Sequence, residues 1–176
     1  MRFLRWGLIT VMLALAALPS YSQTAKKQAA REKTPSILFI CEHGAAKSVI
    51  AAAYFDKLAQ ERKLKYRAVF RGTNPDAAIA PVAEKGLAQD GLKTPAGKPQ
   101  RVTKQDMDAA TTIVTLGCAL PGKEAVAEKV AEWEGVPSVS ENYAVARDDI
   151  VKRVQSLVDE LAKKEAPAKG KKKAKR

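Results

Sequence analysis

Eight consecutive residues bring together a thiol, an imidazole, an ammonium and a hydroxyl: Cys41-Glu42-His43-Gly44-Ala45-Ala46-Lys47-Ser48. The apolar run Ile37-Leu38-Phe39-Ile40 ends at this stretch and reads as a strand covered on both faces. A helical pattern leaves it, with Ile50, Ala53, Tyr54 and Leu58 on one face. A turn between a strand and a helix aims its backbone N–H groups, and the positive end of the helix dipole, at whatever sits beside Cys41. That is an anion site, and it favours the thiolate form of a thiol placed there. Lys47 adds a positive charge, Gly44 permits a tight turn, and Ser48 is placed to cap the helix. The expected site is therefore a nucleophilic Cys41 inside an oxyanion loop of Glu42, His43, Gly44, Ala45, Ala46, Lys47 and Ser48. The plainer alternative is a cysteine that is only a small buried residue at a strand end; the loop's length and the Lys-Ser pair at the helix start weigh against it. A nucleotide-binding GxxxxGK[ST] loop matches only at Lys47-Ser48, because Cys41 and Ala46 stand where glycines are required. ATP hydrolysis is not expected.

The elements that must hold this loop follow in order. Tyr66 to Arg71 reads as a second strand, leading into the turn Gly72-Thr73-Asn74-Pro75. Ile79 to Gln89 reads as a helix, with Pro81 near its first turn and Gly91 just past its end. Thr103 is placed to cap a short helical piece that turns Met107 to the core. Thr112 to Leu116 is the third strand and ends at Gly117-Cys118. Residues Ala125 to Glu132 fit a helix or, around Lys129 to Trp133, a short fourth strand. A loop from Val136-Pro137 reaches Tyr143, and Ala146 to Ala162 forms the last helix. Strands alternating with helices imply a single three-layer α/β/α domain with a small parallel sheet, with ligands at the carboxyl ends of the strands. Cys41 and Cys118 each follow a strand and so belong to that same edge.

The two ends differ from the middle. Arg2 and Arg5, the apolar stretch Gly7 to Leu18 and the small residues of Ser20-Tyr21-Ser22 have the layout of a secretory signal peptide spanning 1–22. The apolar run is short of the ~20 residues that cross a bilayer. Cleavage after Ser22 is expected, giving a secreted or periplasmic chain with a polar linker at 23–33, a domain at 34–163 and a basic disordered tail at 164–176. The formal charge of +12 sits in the ends, and Thr34 to Ala162 is neutral. A neutral fold with basic tails argues against a specific nucleic-acid partner; the tail suits contact with anionic surfaces or simple solubilisation. One histidine and two cysteines cannot build a zinc site, and no metal or cofactor is expected. Cys41 and Cys118 allow one intramolecular disulfide, structural or part of a redox cycle.

The loop resembles the C-x5-R-S signature of the low-molecular-weight protein tyrosine phosphatases and their relatives, the thioredoxin-coupled arsenate reductases. The likeness runs on to the helix ending near Lys163, and Arg71-Gly72-Thr73 resembles that family's small-residue turn after the second strand. Arg147-Asp148-Asp149-Ile150 resembles a packing feature of its last helix. The resemblance implies that Cys41 attacks phosphorus or arsenic while the residue at Lys47 holds the oxyanion. An arginine there donates two parallel hydrogen bonds; Lys47 keeps the charge without the fork, a loss of ~10²–10³ in rate for one well-placed donor. The family's late-loop acid falls near Ser138 within Trp133-Glu134-Gly135-Val136-Pro137-Ser138-Val139, leaving Glu134, Glu141 and His43 as substitutes. Trp133 and Tyr143 read as core or rim. Thr115-Leu116-Gly117-Cys118 resembles the stretch that carries the reductases' resolving cysteine, whereas Ala119 to Gly122 lacks their third; a buried strand-end residue is the alternative for Cys118. His43 would donate to the anion or support the thiolate, or else be a solvated loop residue. The implied activity is arsenate reduction with an external thiol reductant, or hydrolysis of a phosphorylated substrate, with Cys41, Lys47 and Cys118 as the catalytic set. The alternative is a catalytically degenerate oxyanion-binding protein.

Overall fold

The computed structural model describes residues 34–165. The signal-peptide and linker readings, and the tail beyond residue 165, lie outside them. The sheet holds four parallel strands in the order β2-β1-β3-β4, where β1 is Ser36–Cys41, β2 Arg67–Gly72, β3 Ala110–Leu116 and β4 Val130–Trp133. Helix α1 spans Lys47–Glu61, α2 Pro81–Gln89, α3 Lys104–Ala109 and α4 Tyr143–Glu165, with a 3-10 helix at Lys123–Lys129. This is the three-layer parallel fold that the alternating pattern predicts.

Strand alternation divides the core. Ile37, Phe39 and Cys41 face one layer, with Val49, Phe55, Leu87 and Ile150 from α1, α2 and α4. Leu38 and Ile40 face the other, with Met107 of α3 and Val126 of the 3-10 helix. Every residue of β1 is buried, which explains the unbroken apolar run from Ile37 to Ile40. Helix α1 is buried on nearly all sides from Ser48 to Phe55, rather than on the single face its spacing suggests. The small side chains of Ala51, Ala52 and Ala53 suit that close burial.

Two polar clusters fix the helices. Tyr54 and Tyr143 donate from their hydroxyls to Asp90 at 2.8 and 2.6 Å, and Arg147 donates to the other carboxylate oxygen at 2.6 Å. Tyr143 lies so close to α2 that a β-carbon on Gly86 would come within 2.2 Å of its ring. The Arg147 segment is thus a packing feature, as its resemblance implies. Arg71 grips Asp106 through two nitrogens at 2.9 and 3.1 Å, and Asp106 with Thr103 forms a reciprocal cap on α3.

Several boundaries shift. The 125–132 ambiguity resolves into both possibilities in succession, a 3-10 helix followed by β4. The last helix starts at Tyr143 rather than Ala146, because the Asn142 side chain accepts from the N–H of Val145 at 3.1 Å and caps it. The second helix starts at Pro81, the position where a missing N–H costs nothing.

Candidate active site

Cys41 ends β1, and its side chain lies on the α1 side of the sheet. The five residues that follow form the turn into α1. The segment after β2 engages the carbonyl of Cys41 and those of three of these five residues. Thr73, Asn74, Asp76 and Ala80 donate their N–H groups to the carbonyls of Cys41, Glu42, His43 and Ala45, at 3.2, 2.8, 3.0 and 3.0 Å. The backbones of Gly44 and Gly72 touch: a β-carbon on Gly44 would fall 2.7 Å from the Gly72 nitrogen, and one on Gly72 would fall 2.8 Å from the Gly44 nitrogen. Gly44 also takes a φ of +60°, so glycine is required there both for space and for backbone conformation. With the carbonyls engaged outward, the N–H groups of the turn are left for a ligand. Among the described residues, no backbone carbonyl outside the regular elements accepts from residues 42–46.

The start of α1 carries this further. Ser48 does not cap the helix. The helix begins one residue earlier, its N-cap is Ala46, and no side chain satisfies the first turn. Four N–H groups at a helix start need partners, and an oxyanion beside Cys41 would supply them. Ser48 is instead completely buried, with its Oγ 3.2 Å from Cys41 Sγ. Its hydroxyl is available to donate to that sulfur once it is ionised, a charge-assisted bond of the stronger kind.

Cys41 opens on a pocket of about 330 Å³, lined also by Glu42, His43, Lys47, Asp76, Ser138 and neighbouring apolar residues. Glu42, Ala45 and Ala46 line the pocket as well, while Gly44 is buried against Gly72. Lys47 donates from Nζ to the carbonyl of Val136 at 2.8 Å. Its ammonium thus ties the turn to the late loop at 134–142, and further donors remain free for an anion. Ser138 meets Ser140 at 2.9 Å between hydroxyls, and neither is an acid. Of the substitutes, Glu134 lines a different pocket with Cys118 and Glu141 lines neither. His43 does line the Cys41 pocket, with Nδ1 3.2 Å from Asp76 Oδ1. Sequence reasoning missed Asp76; its only signal was an acid in the turn after Pro75.

Cys118 shares the sheet edge with Cys41 but not its face. It packs against the Leu38 and Ile40 layer and lines a separate pocket of about 450 Å³ with Glu124, Glu132 and Glu134. Burial, the Cys41 sulfur and the carboxylates of Glu42 and Glu134 push its thiol up to about 11. Both cysteines are free. Edge position followed from strand order; face did not, because Cys118 lies two residues past β3, where alternation no longer applies. Among the described residues no group of side chains could hold a metal ion.

The family model for low molecular weight phosphotyrosine protein phosphatase matches residues 36–132, more than half the chain. The chain belongs to that family. A curated relative, "Putative arsenate reductase" of Halobacterium salinarum, is 22% identical over 74% of this chain and 95% of its own length. Among solved structures, the arsenate reductase of Archaeoglobus fulgidus is 26% identical over 70% of this chain and 98% of its own, with a TM-score of 0.54. A low molecular weight phosphotyrosine phosphatase of Vibrio cholerae has the same fold, with a TM-score of 0.66 at 18% identity over 74% of this chain and 99% of its own.

Proposed function

We propose that this family member uses the Cys41 thiolate as a nucleophile on a small tetrahedral oxyanion, and that arsenate suits the site better than a phosphomonoester. One observation carries the reading: Cys41 lies at an open pocket, 3.2 Å from the buried Ser48 hydroxyl, in a turn whose carbonyls are held outward. The preference for arsenate rests on what surrounds the sulfur. No carboxylic acid stands at Ser138 to protonate a departing alkoxide, and Lys47 lacks the arginine fork, whereas arsenate needs only to lose water. The arsenate reductases among the relatives lend it support.

The cycle balances with two equivalents of an external thiol. The Cys41 sulfur bonds to arsenic and an As–O bond breaks, releasing water. A thiol then attacks the Cys41 sulfur, forming a disulfide, and the S–As electron pair stays on arsenic, which leaves as arsenite. A second thiol frees Cys41. Cys118 is not needed, since it belongs to the other face and resists ionisation near neutral pH. We further read residues 1–22 as an export signal, so that the thiol donor is one available outside the cytoplasm; N-terminal sequencing of exported protein should begin at Gln23.

The degenerate alternative, an oxyanion binder without chemistry, is favoured by Lys47 spending a donor on Val136. Purified protein given arsenate and a small thiol separates the two readings. Arsenite formation lost in Cys41→Ser supports the enzyme. Arsenate binding without arsenite in the wild type refutes it in favour of the binder.

A further inference from the structure

The pocket contains one more arrangement with the form of catalytic machinery, on the side of the turn opposite Lys47 in sequence. His43 and Asp76 are joined twice. The N–H of Asp76 donates to the His43 carbonyl at 3.0 Å, and the Asp76 carboxylate lies 3.2 Å from His43 Nδ1. Both residues line the Cys41 pocket, and each side chain is about half exposed, at 54% and 53%. With the Asp76 carboxylate beside Nδ1, the ring nitrogen left for proton exchange is Nε2. The nearest carboxylate to Nε2 is Glu42 Oε2, at 3.9 Å, beyond hydrogen-bond reach. The other ionisable groups on the pocket are Cys41, Glu42, Lys47 and Asp76. Cys41 is the nucleophile, Lys47 serves Val136 and the anion, Asp76 lies against His43, and Glu42 leans toward the other ring nitrogen of the same histidine. Ser138, at the expected acid position, carries a hydroxyl too weakly acidic to protonate a leaving group.

From this geometry we infer that His43 is the proton-transfer residue of the Cys41 reaction, with Asp76 as the residue that orients its ring. The inference rests on the oxyanion reading above. As the Cys41–As bond forms, Nε2 delivers its proton to the departing oxygen, which leaves as water. The neutral imidazole then takes the proton of the incoming thiol as its sulfur attacks Cys41, and the next turnover begins with His43 recharged. The proton for the departing arsenate oxygen comes from within the turn itself. An eight-residue segment thus carries the nucleophile, the anion cradle and the acid.

The test measures arsenite formation by the full chain with a monothiol reductant, comparing wild type, Cys41→Ser, His43→Ala, Asp76→Asn and Asp76→Glu. Thermal melting checks that each variant is folded. His43→Ala should lose ~10²–10⁴ in kcat, the usual worth of a positioned acid or base, and added imidazole should restore activity in proportion to its concentration. Asp76→Asn should lower kcat by less while leaving KM unchanged, and Asp76→Glu should recover most of that loss. A folded His43→Ala variant with full turnover, or with a loss that imidazole does not repair, overturns the assignment while the Cys41 reading stands. Wild-type protein without any turnover that Cys41→Ser removes overturns both together.

Discussion

Replacing Gly72 with alanine places a methyl group in the tightest backbone contact of the site. Its β-carbon would lie 2.8 Å from the Gly44 nitrogen and 2.9 Å from both the Glu42 oxygen and the His43 carbonyl carbon. All three neighbours are backbone atoms, so no flexible side chain can yield and the turn itself must shift. Overpacking of this kind costs ~1–3 kcal/mol. The shift also stretches the bonds that Asn74 and Asp76 make to the Glu42 and His43 carbonyls, now 2.8 and 3.0 Å, each worth about 1 kcal/mol net. Gly72→Ala is therefore expected to destabilise the domain by roughly 2–4 kcal/mol and, by misplacing the amides, to cut turnover on the order of 10²-fold. Gly91→Ala is the control. Gly91 has a φ of +72° but nothing within 4 Å, so only left-handed strain of ~1–2 kcal/mol applies, with turnover intact. Urea unfolding measures the first quantity and steady-state kinetics the second. A Gly72→Ala protein within about 0.5 kcal/mol of wild type, the range of an ordinary surface change, and with full turnover, would refute the claim that this contact shapes the site.

Lys47→Met removes both the charge at the pocket and the tie to Val136; phosphate affinity by calorimetry should fall about 10–100-fold, the worth of one hydrogen bond to a charged group. Cys118→Ser should leave turnover with an external thiol within about threefold, because Cys118 faces the other layer. In wild type, alkylation of Cys118 followed by peptide mapping should stay slow near neutral pH and accelerate as pH approaches about 11. The Asp90 cluster predicts an acid limb in stability. Burial opposes ionisation, yet the hydroxyls of Tyr143 and Tyr54 and the Arg147 guanidinium hold the Asp90 carboxyl below its ordinary range. Its stabilising contribution is thus complete above the unfolded value of about 4 and is lost as pH falls through the lower folded value. Asp90→Asn should flatten that part of the melting-temperature profile.

The sheet and its order of elements were legible because β1 is apolar from Ile37 to Ile40 and Pro81, Thr103 and Gly91 punctuate the chain. The nucleophile and its turn were legible for the same reason, since a strand-to-helix junction dictates where N–H groups point. What sequence could not yield were facts of face and reach. Ser48 looks like a cap until the helix is seen to start at Lys47, which turns its hydroxyl to Cys41. Cys118 reads as a neighbour of Cys41 from strand order alone, and only the structure shows its side chain packing with the Leu38 and Ile40 layer. Asp76 lies 33 residues from His43 in the chain; only the hydrogen bonds from residues 73–80 to the turn bring them together.

The central claim is that an oxyanion sits on the turn directly over the Cys41 sulfur. Competition between phosphate and a small alkylating agent, resolved by peptide mapping, tests it without requiring turnover. Saturating phosphate should protect Cys41 from modification and leave the slow labelling of Cys118 untouched. Equal rates of Cys41 labelling with and without phosphate or arsenate would contradict the account.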